Sequence, residues 1–483
     1  MEIDITFFVL LLLILSVGFI LRAALILKYG WAGKDTFYHY LISKEIRREK
    51  RLPKTVDRFI EPEQYDYPPL LHFLLSKVPE RWYKGVQLFA PFTDILAALF
   101  IFIFCLINFD PPVALIAVAI YCFTPFAIDI SFSMGPRVIA NLLLIICLIS
   151  TYYAVESFTM FSIIVATISA ALVLLTQRLA VQSLVAVLTV VMVVWSTFTP
   201  IIVLIIAFFL AMLLSRGFYL TVLRGHIDFV KVMGSRLMDS EKRKVQPSPI
   251  LDLKAITFNL PIIFILPLTF IQLIDWSSLI IFLFTWVISL LVLSALWIFG
   301  EGYRHMANSV APLAIIGGAW AVQSGDYKII IGFISISLVL SLYKVYRLDK
   351  MRQLGIVVTS DVLDAFRFIR DNGSTRDVVL TIPTDLTYHA AYFTGAIVAH
   401  SSGGCAKGLS YNMGVNKMVK EGRVNELISE LNIRWILTLN DTLINVPRVV
   451  EKSFGPDVHL YRVKNQPGLV GLNKNNEWNG LPK

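Results

Sequence analysis

Cysteine and charge are the two things this chain has least of. Of its 483 residues, four are cysteine and 16% are Asp, Glu, Lys or Arg. Three of the cysteines (Cys105, Cys122 and Cys147) fall in apolar stretches, and no pair, Cys405 included, has the spacing of metal ligands. That leaves neither a disulfide framework nor a zinc site to infer. The chain also lacks Gly-x-x-x-x-Gly-Lys-Ser/Thr, His-Glu-x-x-His and Gly-x-Ser-x-Gly, so a phosphate-cradling loop, a zinc protease helix and a nucleophile elbow are all missing. The scarcity of charge goes with 56% hydrophobic residues and a mean hydropathy of +0.70. A chain this apolar must place many segments in lipid. Its formal charge of +9 sits outside the apolar runs. On a membrane protein such an excess points to lipid phosphates, and nucleic acid is not implied.

What the chain does have is long apolar runs. A spanning helix needs about 20 apolar residues, and on that rule about eleven spans are expected, near 5–27, 87–108, 112–130, 137–155, 159–176, 179–196, 198–215, 256–274, 277–299, 307–323 and 328–346. The first is longer than a signal-peptide core and has no basic leader, so it reads as a retained membrane helix. Ionisable residues within the spans are few, Asp94 being one. The expected fold is a polytopic α-helical membrane protein, residues 1–346, followed by a soluble α/β domain, residues 347–483. In the latter, Asp361–Asn372 reads as an amphipathic helix, Asp377–Ile382 as a buried strand, Val424–Leu431 as helix and Arg434–Leu439 as strand. The tail from Asn465 is rich in Asn, Gly and Pro and reads as loose.

The large first loop, residues 28–86, is the longest polar interruption before the apolar core resumes, and it is the first place to look for chemistry. Asp35-Thr36-Phe37-Tyr38-His39 places a carboxylate just outside the first span, beside aromatics. Such a group can take a proton from a hydroxyl or hold a divalent cation against a phosphate; it can equally cap a helix as its N-cap residue. Further on, Tyr65-Asp66-Tyr67-Pro68-Pro69-Leu70 forms an elbow before an apolar helix, its direction fixed by two prolines. Arginines at the helix ends, Arg137, Arg178 and Arg304, can each grip two phosphate oxygens or serve as snorkelling anchors. Glu301, Arg304 and His305 sit together in a turn between two apolar segments, as a substrate contact or as a Glu301–Arg304 pair. The basic 216–255 segment reads as an amphipathic helix on the membrane surface.

The acidic segment at Asp35 is similar to the first acidic motif of oligosaccharyltransferase catalytic subunits. The elbow Tyr67-Pro68-Pro69-Leu70 resembles that of protein mannosyltransferases and lipid A aminoarabinose transferases. Both belong to the GT-C glycosyltransferases, polytopic enzymes that take sugars from polyprenyl-phosphate carriers. The general plan of a large first loop, core spans, extra spans and a C-terminal soluble domain is similar as well. The resemblance implies inverting transfer of a sugar from a polyprenyl-phosphate donor to a hydroxyl on a lipid, glycan or protein. It makes Asp35 the base, with Asp66 second, and His39, Tyr67, Arg137, Arg178, Glu301, Arg304 and His305 contacts to substrate or phosphate. It also implies a divalent cation, Mg or Mn, held at Asp35, and a multi-pass plasma-membrane protein whose site and C-terminal domain face away from the cytoplasm. Two departures stand out. There is no Trp-Trp-Asp acceptor motif in the C-terminal region, and no Asp-x-Asp or Asp-x-Glu follows Arg137 in the turn region after the third span. The first argues against asparagine-linked transfer, the second against a tightly held metal. A transporter, a lipid-binding scaffold, or a GT-C fold without catalysis are the alternatives; transporters place ionisable groups mid-membrane and carry internal repeats, of which none is visible.

With eleven spans, nearly all distinctive polar residues fall on one face, and so do nearly all Lys and Arg. The positive-inside rule sets that face in the cytoplasm, against the orientation the resemblance implies, although the rule weakens for loops near 60 residues. Single cysteines at Lys54 and Asn465, in a background without native cysteines, decide the matter. The resemblance predicts that both react with a membrane-impermeant thiol reagent on intact cells; labelling only after lysis reverses the orientation.

Overall fold

The computed structural model describes residues 5–62, 64–238, 253–271, 276–296, 302–351, 355–402, 406–439 and 449–463. They group into two compact units. One holds Met1–Lys28, Pro68–Leu74 and Arg81–Arg347; the other holds Tyr29–Tyr67, Leu75–Glu80 and Leu348–Lys483. Glu63, Glu301 and the tail from 464 lie outside the described residues.

The first unit is helical. Each expected apolar segment contains helix, but not each is one continuous rod. Among the described residues five helices are long and apolar enough to cross a membrane: Ile5–Tyr29, Phe89–Asn108, Pro136–Glu156, Ser278–Ala295 and Tyr327–Lys350. Two bent pairs raise the count to seven. Pro111–Phe123 and Pro125–Ser131 meet at 60°, because Pro125 offers no N–H to the helix before it. Thr199–Leu214 and Tyr219–Lys231 meet at 118°, across Arg216 and Gly217, which both have positive φ. Residues 256–271 do not form one rod: they form Leu253–Asn259, a 3₁₀ turn Pro261–Phe264 and Ile265–Ile271. Pro261 is the physical reason, since a proline ring excludes the N–H and the carbonyl approach that a continuing helix needs. The first half of 216–255 is helix, Tyr219–Met238, as expected; the rest lies outside the described residues.

Small residues set the packing. Ala97, Ala98, Ala114, Ala117, Ala166, Ala170, Ala207 and Ala211 are all fully buried, which lets backbones approach where lipid offers no hydrophobic driving force between helices. At Gly318 a Cβ would lie 2.7 Å from the carbonyl oxygen of Val113, so the helices Val310–Ser324 and Pro111–Phe123 touch backbone to side-chain stub. Within this apolar packing lies an ion pair. Arg22 and Asp94 are both wholly buried and bonded at 2.5 Å. The Arg22 guanidinium also donates to the carbonyls of Gly18 and Cys122, at 2.8 Å each. Tyr121 donates to Asp94 at 2.7 Å, and Asn141 donates to Tyr121 at 2.8 Å. Four helices thus share one polar network.

The second unit is α/β. Among the described residues it has one sheet, with strands β1 (Phe59–Glu61), β2 (Val378–Ile382), β3 (Ile397–Ser401), β4 (Ile433–Leu439), β5 (Val449–Phe454) and β6 (Val458–Val463) in the order β1-β3-β2-β4-β6-β5. The first four run parallel and the last two are an antiparallel addition. The expected strand and helices are present as β2, β4, Ser360–Asn372 and Val424–Leu431. Thr359 caps the Ser360 helix by accepting from the Val362 N–H. β1 comes from the first loop: Phe59 pairs with Val398 across the sheet edge. Residues 29–67 and 75–80 of the first loop are therefore a folded part of this unit. An aromatic cluster binds it further, with Phe37 against Phe393 at 5.2 Å and against His389 at 4.3 Å, and Phe366 stacked on Phe393 at 5.9 Å.

Removing one member of the buried ion pair leaves the other charge without a partner in an apolar surround. Asp94→Ala is expected to destabilise the protein by about 3–5 kcal/mol, and Arg22→Met with Asp94→Leu to recover most of that. Thermal unfolding of the detergent-solubilised single and double variants measures both.

Candidate functional site

In the second unit, the helix Lys34–Glu49 carries the first-loop acid. Its N-cap is Gly33, at φ 87°, ψ 132°, a conformation that favours glycine. Asp35 therefore does not cap the helix. It lies in the first turn, exposed, where the positive end of the helix dipole favours a carboxylate. Its oxygens accept no hydrogen bond from a described residue, so they are available to a substrate. One turn on, at i+4, His39 is buried. Burial pushes its imidazole down to about 4, against a smaller opposing pull from Asp35. His39 is thus neutral at physiological pH and can offer a hydrogen bond but not a charge. The ring of Tyr67 lies 5.8 Å from that of His39, which brings the elbow alongside the helix of Asp35. Asp66 is buried, so it lacks the open face that Asp35 presents.

In the first unit, a cavity of about 180 Å³ is lined by Asp129, Arg137, Gln177, Tyr303, Arg304 and Asn308, together with apolar side chains. Arg137 is the second residue of the helix Pro136–Glu156, whose first position is proline, the residue best tolerated there. Gln177 is the N-cap of Arg178–Val194. Two helix N-termini therefore border the cavity, each with the positive end of its dipole. Arg304 comes from the 3₁₀ helix Gly302–Ser309, and Tyr303 beside it stacks on Phe126 at 6.5 Å. Two guanidiniums and two helix starts are groups whose chemistry suits an anion. Facing them, Asp129 supplies a single carboxylate, ion-paired to Lys344.

Of the residues singled out by sequence, Arg137 and Arg304 come together in this cavity. Arg178 does not line it; it is buried at the start of its helix, next to Gln177. His305 is buried and shares a hydrogen bond with Ser183 at 3.2 Å, while Asn308 donates to Ser183 at 2.9 Å. That pair ties the short helix of Arg304 to Arg178–Val194. Glu301, and with it the expected Glu301–Arg304 pair, lies outside the described residues. Sequence reasoning did not single out Asp129, Gln177 or Asn308. Asp129 had a signal: it is an isolated acid in an otherwise apolar run, before Arg137 and not after it. Among the described residues no three His, Cys, Asp or Glu side chains come together as a metal cage.

No protein-family model matches the sequence, and no curated protein matches it. Solved structures do. The archaeal oligosaccharyltransferase AglB from Archaeoglobus fulgidus, in complex with an inhibitory peptide and a dolichol-phosphate, superposes with a TM-score of 0.57 at 12% identity, over 90% of this chain and 69% of that one. AglB has also been solved in complex with Zn and sulfate. ArnT from Cupriavidus metallidurans in the apo state gives 0.58 at 10% identity, over 95% and 98% of the two chains. ArnT bound to undecaprenyl phosphate gives 0.55. Both are GT-C glycosyltransferases, and the chain has their polytopic membrane fold.

If the cavity is an anion site, removing either guanidinium weakens it. Arg137→Met and Arg304→Met are each expected to lower affinity for undecaprenyl phosphate by roughly tenfold or more, the value of one charged hydrogen-bonding partner. Titration of the protein in nanodiscs reads this directly.

Proposed function

We propose that the protein is a membrane glycosyltransferase that moves a sugar from a polyprenyl-phosphate carrier to a hydroxyl acceptor. The observation that carries the reading is the cavity of Arg137 and Arg304 at two helix N-termini, in a fold shared with two enzymes solved with polyprenyl-type phosphates. The division of labour follows the chemistry of each unit. The phosphate of the donor is taken by the guanidiniums and helix starts of the first unit. The exposed carboxylate of Asp35, in the second, removes the acceptor proton.

The acceptor oxygen attacks the anomeric carbon as Asp35 takes its proton. The bond from that carbon to the phosphate oxygen breaks, and polyprenyl phosphate leaves with the bonding electrons. A single displacement inverts the anomeric centre. Arg137 and Arg304 stabilise the charge that grows on the leaving phosphate. Neutral His39 and Tyr67 line the approach to Asp35 with hydrogen-bonding and aromatic surface suited to a sugar or its acceptor. Lipid around the donor limits hydrolysis. Mg or Mn joining the site would be held by Asp35 and would draw most of its other ligands from phosphate and water. The acceptor is a lipid, glycan or protein hydroxyl, and the second unit is the part we assign to holding it.

We also place the second unit outside the cytoplasm. Much of the first-loop basic charge that argues otherwise is engaged within a folded unit: Lys34 with Asp385 at 2.8 Å, Lys44 with Glu80 at 3.1 Å, and Arg47 with the carbonyls of Ser76 and Leu75. The positive-inside rule counts short loops, and domains cross largely regardless of charge.

A base that removes the acceptor proton contributes typically 10²–10⁴-fold. Asp35→Asn, reconstituted with a panel of polyprenyl-phosphate sugars and hydroxyl acceptors, is expected to lose activity by about that factor while its thermal midpoint and its affinity for undecaprenyl phosphate stay unchanged. Full activity in the folded variant overturns the mechanism.

A further inference from the structure

An anion site that contains a carboxylate needs an explanation. Asp129 lines the same cavity as Arg137 and Arg304, where a negative charge weakens the binding of any phosphate. It is not there only as half of a buried staple. Its side chain keeps 31% of its exposure, while its partner Lys344 keeps 10%. The Lys344 ammonium bonds one oxygen of Asp129 and the side-chain oxygen of Asn259. The other oxygen of Asp129 has no hydrogen-bond partner among the described residues. The lysine thus anchors the carboxylate from behind. It bonds one oxygen of Asp129, which lines the cavity with the arginines.

The reaction gives this arrangement a use. The donor is a phosphodiester with one negative charge at any pH of interest. The spent carrier is a phosphomonoester, whose second proton leaves near pH 6, so at neutral pH it approaches two charges. Two guanidiniums and two helix N-termini alone would hold the more charged product more tightly than the substrate. The carrier would then stay bound after transfer.

We infer that Asp129 is a charge-selecting residue: it sets the cavity to prefer the singly charged carrier-linked sugar over the doubly charged spent carrier, and Lys344 is the residue that positions it. This rests on the function proposed above. Among the described residues the cavity's other charged groups are Arg137 and Arg304. Arg347 lies beyond Lys344 and acts on its charge. The neighbouring His305 is engaged with Ser183 and does not line the cavity.

The test compares two probes in nanodiscs, undecaprenyl phosphate as monoester and methyl undecaprenyl phosphate as diester, between pH 5.5 and 7.5. At pH 7.5 Asp129→Asn binds the monoester about tenfold more tightly than the wild type and gains less for the diester, the extra charge being the difference. That gap closes by pH 5.5, where the monoester has regained its proton. Lys344→Gln, which leaves Asp129 uncompensated, binds both probes more weakly. Asp129→Asn with Lys344→Gln, which buries no lone charge, returns monoester affinity to within about threefold of the wild type. A purely structural pair gives the opposite pattern: both single variants lose affinity for both probes, with no dependence on pH, and that result overturns the inference. So does an unchanged Asp129→Asn when the wild type binds. A wild type that binds neither probe overturns the reading of the cavity as the donor site, and this inference with it.

Discussion

The membrane unit depends on one buried interaction, the contact of Arg22 with Asp94. An isolated charge among apolar helices is costly, and neither group is reached by solvent. Each is tolerable because the other is present and because Gly18, Cys122 and Tyr121 meet further donors and acceptors, although the Nη2 of Arg22 is buried without a hydrogen-bond partner among the described residues. Apolar packing between helices in lipid is permissive: one Leu face slides on another at small cost. A network that must be complete is not permissive. It fixes which turn of Ile5–Tyr29 faces which turn of Phe89–Asn108 and Pro111–Phe123, and Asn141 carries that register into Pro136–Glu156, the helix whose start lines the cavity.

From that register the cavity follows by local rules. Pro125 bends the third segment by 60° and delivers Asp129 on a short helix that a straight span would have carried elsewhere. Pro136 starts the next helix where Arg137 can lie at its positive end. The Ser183 hydrogen bonds of His305 and Asn308 hold the 3₁₀ helix of Arg304 against Arg178–Val194. None of these devices is itself a phosphate ligand. Each one turns a generic feature, an arginine near a helix end, into one of two guanidiniums on a common wall.

Some of this was legible in the sequence and some was not, for reasons that differ by element. β2 was legible because a strand buried on both faces must be a continuous apolar run, and 378–382 is one. Ser360–Asn372 was legible from its periodicity. β1 was not: three residues in a polar loop have no pattern of their own, and Phe59–Glu61 is a strand only because β3 is there to pair with it. Asp35 was correctly placed at a helix start but not at the cap, since Gly33 takes the positive φ that ends the loop. Arg137 and Arg304 were found one at a time; their meeting is a tertiary fact that no spacing encodes. Asp129 escaped because the expectation was of a paired acidic motif after Arg137, while the acid in the cavity is single and precedes it.

The basic first loop carries the wider lesson about reading charge. Counted as residues, its lysines and arginines look like a surface that belongs on anionic lipid. Traced to partners, they divide. Lys34, Lys44 and Arg47 join separate segments of one folded unit, and Arg48 and Arg51 pair with Glu45 and Glu49 on their own helix and its end. The exposed pairs among these are worth little to stability, of order a few tenths of a kcal/mol each at the surface. Their effect on the field is larger than their effect on stability, because a cation beside a carboxylate has little reach beyond a Debye length. The net charge that a membrane or an export machinery meets is the unpaired remainder. A formal count overstates that remainder most where a loop turns out to be a domain, as this one does by giving β1 to the sheet. The same distinction bears on the cavity, where Arg137 and Arg304 share the lining with a carboxylate that is itself ion-paired to Lys344.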